Sequence, residues 1–386
     1  MTEMAVATVA TVATVATVAT VATVSVFEPY SNKGLSGLAN IGNTCYLNSC
    51  MQVLSHCYEL NHFLVKGDYK KRLNRVADSI ILLEWDKLRE LLWSSNCTVA
   101  PYGFVKAIQK VAQLKHRDIF TGHDQNDVQE FLLFIIDCFH NALAREVEML
   151  INGQSQNETD HLAIVCYSMM KNMYKKEYSE MLSIFYGIHV SEIISSATGE
   201  SLSACPEPFS VLSLSIPAKS NSSSSNSSNS SNSSVSLYDC FDLYCEAESM
   251  HGDNAWYNDK TEKKENVFRK ICFWSLPEIM IIDLKRWNDN GNGNAKKSHQ
   301  HVDIPLTNVD FSKYVKGYNS AAYVYDLFGV CNHGGGVMGG HYTASIKNAN
   351  GKWYAFNDTL VNEIREENVI SVHSYCLFYR KKKYYN

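Results

Sequence analysis

The sequence predicts an α+β protein in which a helical lobe packs against an antiparallel sheet. Apolar residues recur at helical spacing through the first half, and short aromatic and β-branched runs fill the second half. The two kinds of segment do not alternate regularly, as βαβ units would.

The elements follow in chain order. From Ala5 to Val24 the chain repeats Ala-Thr-Val. Glu3 stands where a secretory signal carries a basic residue, and the repeat lacks Leu, Ile, Phe and the flanking anchors of a bilayer span. Residues 1–33 are therefore expected to form a disordered low-complexity tail, with no membrane partner, and the folded body to occupy 34–383. Leu47, Cys50, Met51 and Leu54 follow i, i+3, i+4, i+7 spacing, and Val128, Phe131, Leu132, Ile135 and Phe139 repeat it, so each stripe predicts a helix facing a core. Strands are expected at Phe209–Ile216, Glu278–Trp287, Tyr323–Asn332, Tyr342–Lys347, Lys352–Phe356 and Ser374–Arg380, each bounded by turn-forming residues. The Ser/Asn run at 220–234 has no apolar residue to bury before Val235 and reads as an insertion loop. The closing Arg380-Lys381-Lys382-Lys383 run reads as a solvated tail.

Composition narrows the function classes. Hydrophobic residues make up 45% of the 386 and charged residues 19%, which fits a folded body with a substantial core. Lys and Arg total 35 against 40 Asp and Glu, and the net charge of -5 argues against binding nucleic acid by phosphate neutralisation. Twelve cysteines scatter from Cys45 to Cys376 with no C-x-x-C pair, so disulfides are not expected and an intracellular, reducing compartment is.

Two segments carry chemistry. Gly37-Leu38-Ala39-Asn40-Ile41-Gly42-Asn43-Thr44-Cys45 runs from a glycine-punctuated loop into the first helical stripe, which leaves Cys45 at a helix start. There, free amides and the positive end of the helix dipole favour a thiolate and are expected to lower its pKa. Far downstream, the glycine-rich run from His333 to Gly340 leads into His341-Tyr342, and a following strand ends at Asn357-Asp358. A hairpin would set His341 beside Asn357. Cys, His and Asn in that order form a thiol-protease triad: imidazole takes the thiol proton, and the amide oxygen fixes the tautomer.

These two segments resemble the Cys and His boxes of the ubiquitin-specific proteases. Three further runs agree in order. Gln125-Asn126-Asp127-Val128-Gln129-Glu130-Phe131 is similar to the family's Q-x-D-A-Q-E-F helix, Glu207-Pro208-Phe209 with Leu212-Ser213-Leu214 to its E-P-F-x-x-L-S-L strand, and Leu284-Lys285-Arg286-Trp287 to its L-K-R-F strand. The resemblance spans 34–380 and implies a papain-like fold, with a thumb at 34–165, fingers at 184–275 and a palm at 276–383. It implies a deubiquitinating cysteine protease acting on ubiquitin and ubiquitinated proteins without a cofactor. Cys45 then matches the nucleophile, His341 the base, Asn357 the third member and Asn40 the oxyanion donor. Asp358 is expected to supplement Asn357. Asp127 is expected either to cap its helix or to meet the arginines of ubiquitin's tail, with Tyr342 also facing substrate. His333 matches a loop residue beside the channel and is expected to be structural.

Many family members hold zinc in the fingers with two C-x-x-C pairs. Here the matching positions are Ser195, Thr198, Asn258 and Thr261, and Cys205, Cys240, Cys245 and Cys272 fit no zinc ribbon, so no metal is expected. Two rivals stay open, a peptidase for a ubiquitin-like modifier and a catalytically inactive ubiquitin-binding scaffold. The repeats point to a microbial eukaryote or a large DNA virus as the source.

Overall fold

A computed structural model describes residues 4–9, 27–218, 234–289, 295–336 and 339–382. Most of the Ala-Thr-Val repeat and of the Ser/Asn run lies outside them.

The helical lobe forms where the apolar spacing predicts it. Cys45–Ser55 is buried along its whole length, and Val128–Leu143 turns its apolar stripe inward. Asp78–Ser94 and Tyr102–Leu114 complete the lobe, with Trp85, Phe104 and Phe139 fully or almost fully buried among them. The sheet runs in the order Leu360–Ile364, Trp353–Asn357, Gly339–Lys347, Val324–Gly336, Ser374–Lys381, Ile279–Lys285 and Val211–Ser215. All of its pairings are antiparallel except the last. Ile279–Lys285 lies inside the sheet and is apolar on both faces, as a doubly covered strand must be. Ile279 and Ile281 join the core shared with the helical lobe, while Met280, Ile282 and Leu284 join a second core on the opposite face.

A separate antiparallel sheet, ordered Ser201–Phe209, Gly187–Ser195, Val267–Ser275 and Glu248–Met250, extends from this body. The turn at 195–199 in this sheet and the turn of a separate two-stranded hairpin, Trp256–Asn258 with Lys263–Glu265, carry the four positions without cysteine, and each tip is closed by its own hydrogen bonds. Ser195 Oγ accepts from the Ala197 and Thr198 amides at 3.3 and 3.2 Å, and the Gly199 amide returns to the Ser195 carbonyl at 2.9 Å. In the other tip Asn258 Oδ1 accepts from the Lys260 amide at 3.0 Å, and Asn258 and Thr261 both donate to Glu265. Among the described residues no group of three His, Cys, Asp or Glu is placed to hold a metal. Prolonged chelation is therefore expected to shift the melting temperature by no more than about 1 °C; a loss of zinc and of stability together would contradict this.

Two ends of the chain depart from expectation. The backbone of Met4–Val9 is not a disordered tail: it pairs in parallel with Glu148–Gly153, in keeping with the strand preference of Val and Thr. The basic C-terminal run is not a solvated tail as far as Lys381, which ends the Ser374–Lys381 strand. Arg380 stacks on Phe27, Tyr58 and Phe328 and pairs with Glu59 at 2.9 Å, so its guanidinium serves as a packing surface. No described helix is long and apolar enough to cross a membrane.

Candidate active site

Cys45 begins its helix, with Thr44 at the cap. The cap is tied back through Asn40, whose Oδ1 accepts from the Gly42 and Thr44 amides at 3.2 and 3.1 Å. The loop before it lies hard against the segment that follows Asn357. A Cβ on Gly37 would sit 2.3 Å from the Thr359 carbonyl oxygen, so only glycine permits this approach. The Leu38 amide donates to the Asp358 carbonyl at 2.8 Å, which locks the cysteine loop to the end of that strand.

The Gly339–Lys347 strand packs on the Cys45 helix and brings His341 to its N-terminus. The Tyr342 backbone amide is a hydrogen-bond donor to the Cys45 sulfur. His341 Nε2 lies 2.7 Å from Asn357 Oδ1, across the expected hairpin. Because the amide oxygen only accepts, Nε2 carries the proton and the basic lone pair is left on Nδ1. Cys45 itself is 5% exposed, and burial, with the Asp358 charge adding to it, raises its pKa. This corrects the expectation of a lowered pKa. The helix start supplies amides, but desolvation of the sulfur outweighs them, so the resting group is a thiol.

Asp358 is also reassigned. Its Oδ2 accepts from Asn40 Nδ2 at 3.0 Å and its Oδ1 from Asn48 Nδ2 at 2.8 Å. It occupies left-handed backbone, φ 49°, which aims the carboxylate at the cysteine loop while Asn357 faces His341. The hydrogen bonds of the Asp358 carboxylate thus go to Asn40 and Asn48, while that of His341 goes to Asn357. Asn48, buried one helical turn beyond Cys45, had no signal of its own in the sequence beyond that spacing.

Asp127 caps the Val128–Leu143 helix by accepting from the Gln129 amide at 2.7 Å. Its other oxygen accepts from the hydroxyls of Tyr375 at 2.6 Å and Tyr342 at 3.3 Å. The Tyr342 ring is buried against His333, 4.5 Å between centroids, so this side chain supports Asp127. Nearby Asp283 is pushed up to about 7 by burial and by the Asp127 charge. Asp127, Tyr342, Gln125, Trp287, His333 and Gly336 line a cleft of about 320 Å³. Gln125 Oε1 accepts from the Gly340 amide at 2.9 Å, holding the residue before His341. Sequence reasoning placed Gln125 in a motif without assigning it this contact, and nothing in the sequence signalled Tyr375.

The arrangement joins a buried thiol, an imidazole with a fixed tautomer, an amide held by a carboxylate, and an adjoining cleft with an acidic wall. A family model described as ubiquitin carboxyl-terminal hydrolase matches residues 36–379. Ubiquitin carboxyl-terminal hydrolase 2 of Bos taurus is 30% identical over 90% of this chain, which spans only 55% of that relative's length. A protein of the same name from Gallus gallus is 32% identical, over 90% of this chain and 93% of its own. A probable ubiquitin carboxyl-terminal hydrolase of Acanthamoeba polyphaga mimivirus is 26% identical over 90% of each. Among solved structures, a SAGA Ubp8/Sgf11/Sus1/Sgf73 DUB module bound to ubiquitin aldehyde superposes with a TM-score of 0.68. That match has 23% identity and covers 92% of this chain and 71% of that one. The likeness shows the fold, a papain-like thumb, palm and fingers.

Proposed function

Because the chain belongs to the ubiquitin carboxyl-terminal hydrolase family, we propose that it is a thiol-dependent deubiquitinating protease, cutting the peptide or isopeptide bond after the C-terminal glycine of ubiquitin. The reading rests above all on the 2.7 Å contact between His341 and Asn357 beside the Cys45 helix.

In this mechanism His341 Nδ1 takes the proton of the Cys45 thiol as the sulfur attacks the glycine carbonyl, since burial keeps the resting group protonated. Asn357 holds the Nε2–H and the ring. The developing oxyanion takes a hydrogen bond from Asn40 Nδ2, whose other proton is engaged by Asp358. Collapse expels the amine, protonated from His341 Nδ1, and leaves a thioester. A water molecule, deprotonated by the same nitrogen, then releases ubiquitin with a free carboxylate and restores the thiol. Asp127 is the acid that meets the arginines of the tail, from a cleft wall where two tyrosine hydroxyls hold it in place.

The thumb is assigned to 34–165, the fingers to 184–275 with the Ser/Asn insertion, and the palm to 276–383. The proposed location is an intracellular, reducing compartment, cytoplasm or nucleus, which for a viral source is that of the host cell. In support, all twelve cysteines are free, including Cys331 and Cys376, which lie opposite each other on neighbouring strands.

A panel of C-terminally electrophilic ubiquitin and ubiquitin-like probes tests the function. Ubiquitin is expected to label Cys45 fastest, and changing its tail arginines to alanine should slow labelling by about tenfold or more. Faster labelling by a ubiquitin-like probe would reassign the substrate. Binding of ubiquitin without labelling would make the protein a scaffold.

A further inference from the structure

Lys297 is 6% exposed, and the mechanism above makes no use of it. It ends the short Ala295–Lys297 strand, which pairs with Trp287–Asp289 in a hairpin. Among the described residues its hydrogen bonds go to His333 alone: Nζ lies 2.7 Å from Nδ1 and 2.5 Å from the carbonyl oxygen. His333 belongs to a different hairpin, formed by Val324–Gly336 and Gly339–Lys347. The two hairpins meet at the cleft beside Asp127, with the Trp287 and His333 rings 5.9 Å apart between centroids. One contributes Trp287, the other His333, Gly336 and Tyr342.

We infer that Lys297 is a positioning residue of the substrate channel, an ammonium that clamps the Trp287 hairpin to the His333 hairpin and so sets the width of the cleft that receives the substrate's C-terminal tail. The inference rests on the deubiquitinase reading for the identity of that substrate.

The contacts around the pair account for the clamp. An ammonium only donates, so His333 Nδ1 must accept, and the imidazole is held neutral with its proton on Nε2. Burial and the Lys297 charge push the His333 pKa down to about 4, which agrees. The fixed ring then acts as a spacer. It packs on Tyr342 at 4.5 Å, and a Cβ on Gly340 would come within 2.1 Å of its Nε2, so the backbone before His341 lies flat against it. On the other side the ammonium sits 5.7 Å from the centre of the Trp287 ring. Burial and neighbouring Arg286 lower the Lys297 pKa to about 8, the mark of a cation held where solvation is poor. Packing alone does not require such a cation, because an apolar side chain of similar length fills the volume without the desolvation cost. What the ammonium adds to the Trp287–His333 ring contact is a pair of directional bonds that fix one hairpin against the other.

The test uses the full chain with a fluorogenic ubiquitin conjugate, together with alkylation of Cys45 by iodoacetamide, a reagent too small to need the channel. Lys297→Met is expected to raise KM about tenfold or more while kcat and the alkylation rate stay within about threefold of wild type. Its melting temperature should stay within about 3 °C. Lys297→Arg, which keeps a charged donor, should recover most of the lost KM. His333→Leu removes the ring's half of the same clamp and keeps the carbonyl of residue 333, so its smaller effect and that of Lys297→Met should not multiply in the double variant. An unchanged KM in Lys297→Met overturns the inference, as does a loss of kcat and alkylation in step with stability, or multiplying effects in the double variant. If Lys297→Met fails to fold, the KM of Lys297→Arg against that of His333→Leu decides. A wild type that turns over no ubiquitin conjugate refutes the deubiquitinase reading instead, and is separable because it is seen before any variant is made.

Discussion

Cys45→Ala is expected to abolish turnover of a ubiquitin conjugate, by roughly 10⁴-fold or more, and to remove all labelling by electrophilic ubiquitin probes. Eleven other cysteines remain in the variant, and most are buried in cores. Cys50, within the Cys45 helix, and Cys331 and Cys376, on strands of the main sheet, are fully buried, with thiols raised by burial. None of these three has a base beside it comparable to His341. Ubiquitin affinity should persist, because the sulfur contributes almost nothing to the binding surface. Residual hydrolysis within tenfold of wild type would remove Cys45 from the mechanism.

Asp358→Ala carries the second largest expected effect. Its carboxylate accepts from Asn40 and from Asn48, so the substitution releases the amide proposed to face the oxyanion and leaves Asn48 Nδ2 only its long bonds, 3.4 Å each, to the Leu38 and Ala39 carbonyls. Loss of one oxyanion donor costs about 3 kcal/mol of barrier, or roughly a hundredfold in kcat. Loss of the short Asn48 bond adds about 1 kcal/mol of lost stability, to be read in a denaturant titration. Asn40→Ala should lower kcat as much and should also cost stability, since its Oδ1 accepts from the Gly42 and Thr44 amides at the helix start. If Asp358 acts through Asn40, the double variant is expected to lose no more kcat than the worse single one. Independent, multiplying losses would mean that Asp358 acts elsewhere, and would restore the view of it as a partner of His341.

Much of the site could be read along the chain because its chemistry lies in short runs. A glycine loop entering an apolar stripe marks Cys45, and a glycine-rich turn before an aromatic strand marks His341. The strand that returns from it ends at Asn357, and the hairpin brings the two together because pairing in a two-strand unit is local. The helices at Cys45–Ser55 and Val128–Leu143, and the strands of the main sheet, follow from periodicities of 3.6 and 2 that burial on one face imposes. The absence of cysteine at Ser195, Thr198, Asn258 and Thr261 is legible along the chain, but the hydrogen bonds that close those two turns are not.

The remaining features depend on contacts between segments far apart in the chain. Asp358 follows Asn357 directly, yet its left-handed backbone turns it toward Asn40 and Asn48, more than 300 residues away. The pKa of Cys45 moves up because neighbouring elements exclude water from the sulfur, an effect that a helix start alone does not contain. Tyr375 reaches Asp127, and Lys297 reaches His333, only once strands distant in sequence have been laid side by side. Local periodicity and motif chemistry thus specify the elements and the reacting groups. Desolvation and long-range hydrogen bonding, which exist only in the packed structure, decide the protonation state of the thiol, the partner of Asp358 and the walls of the channel.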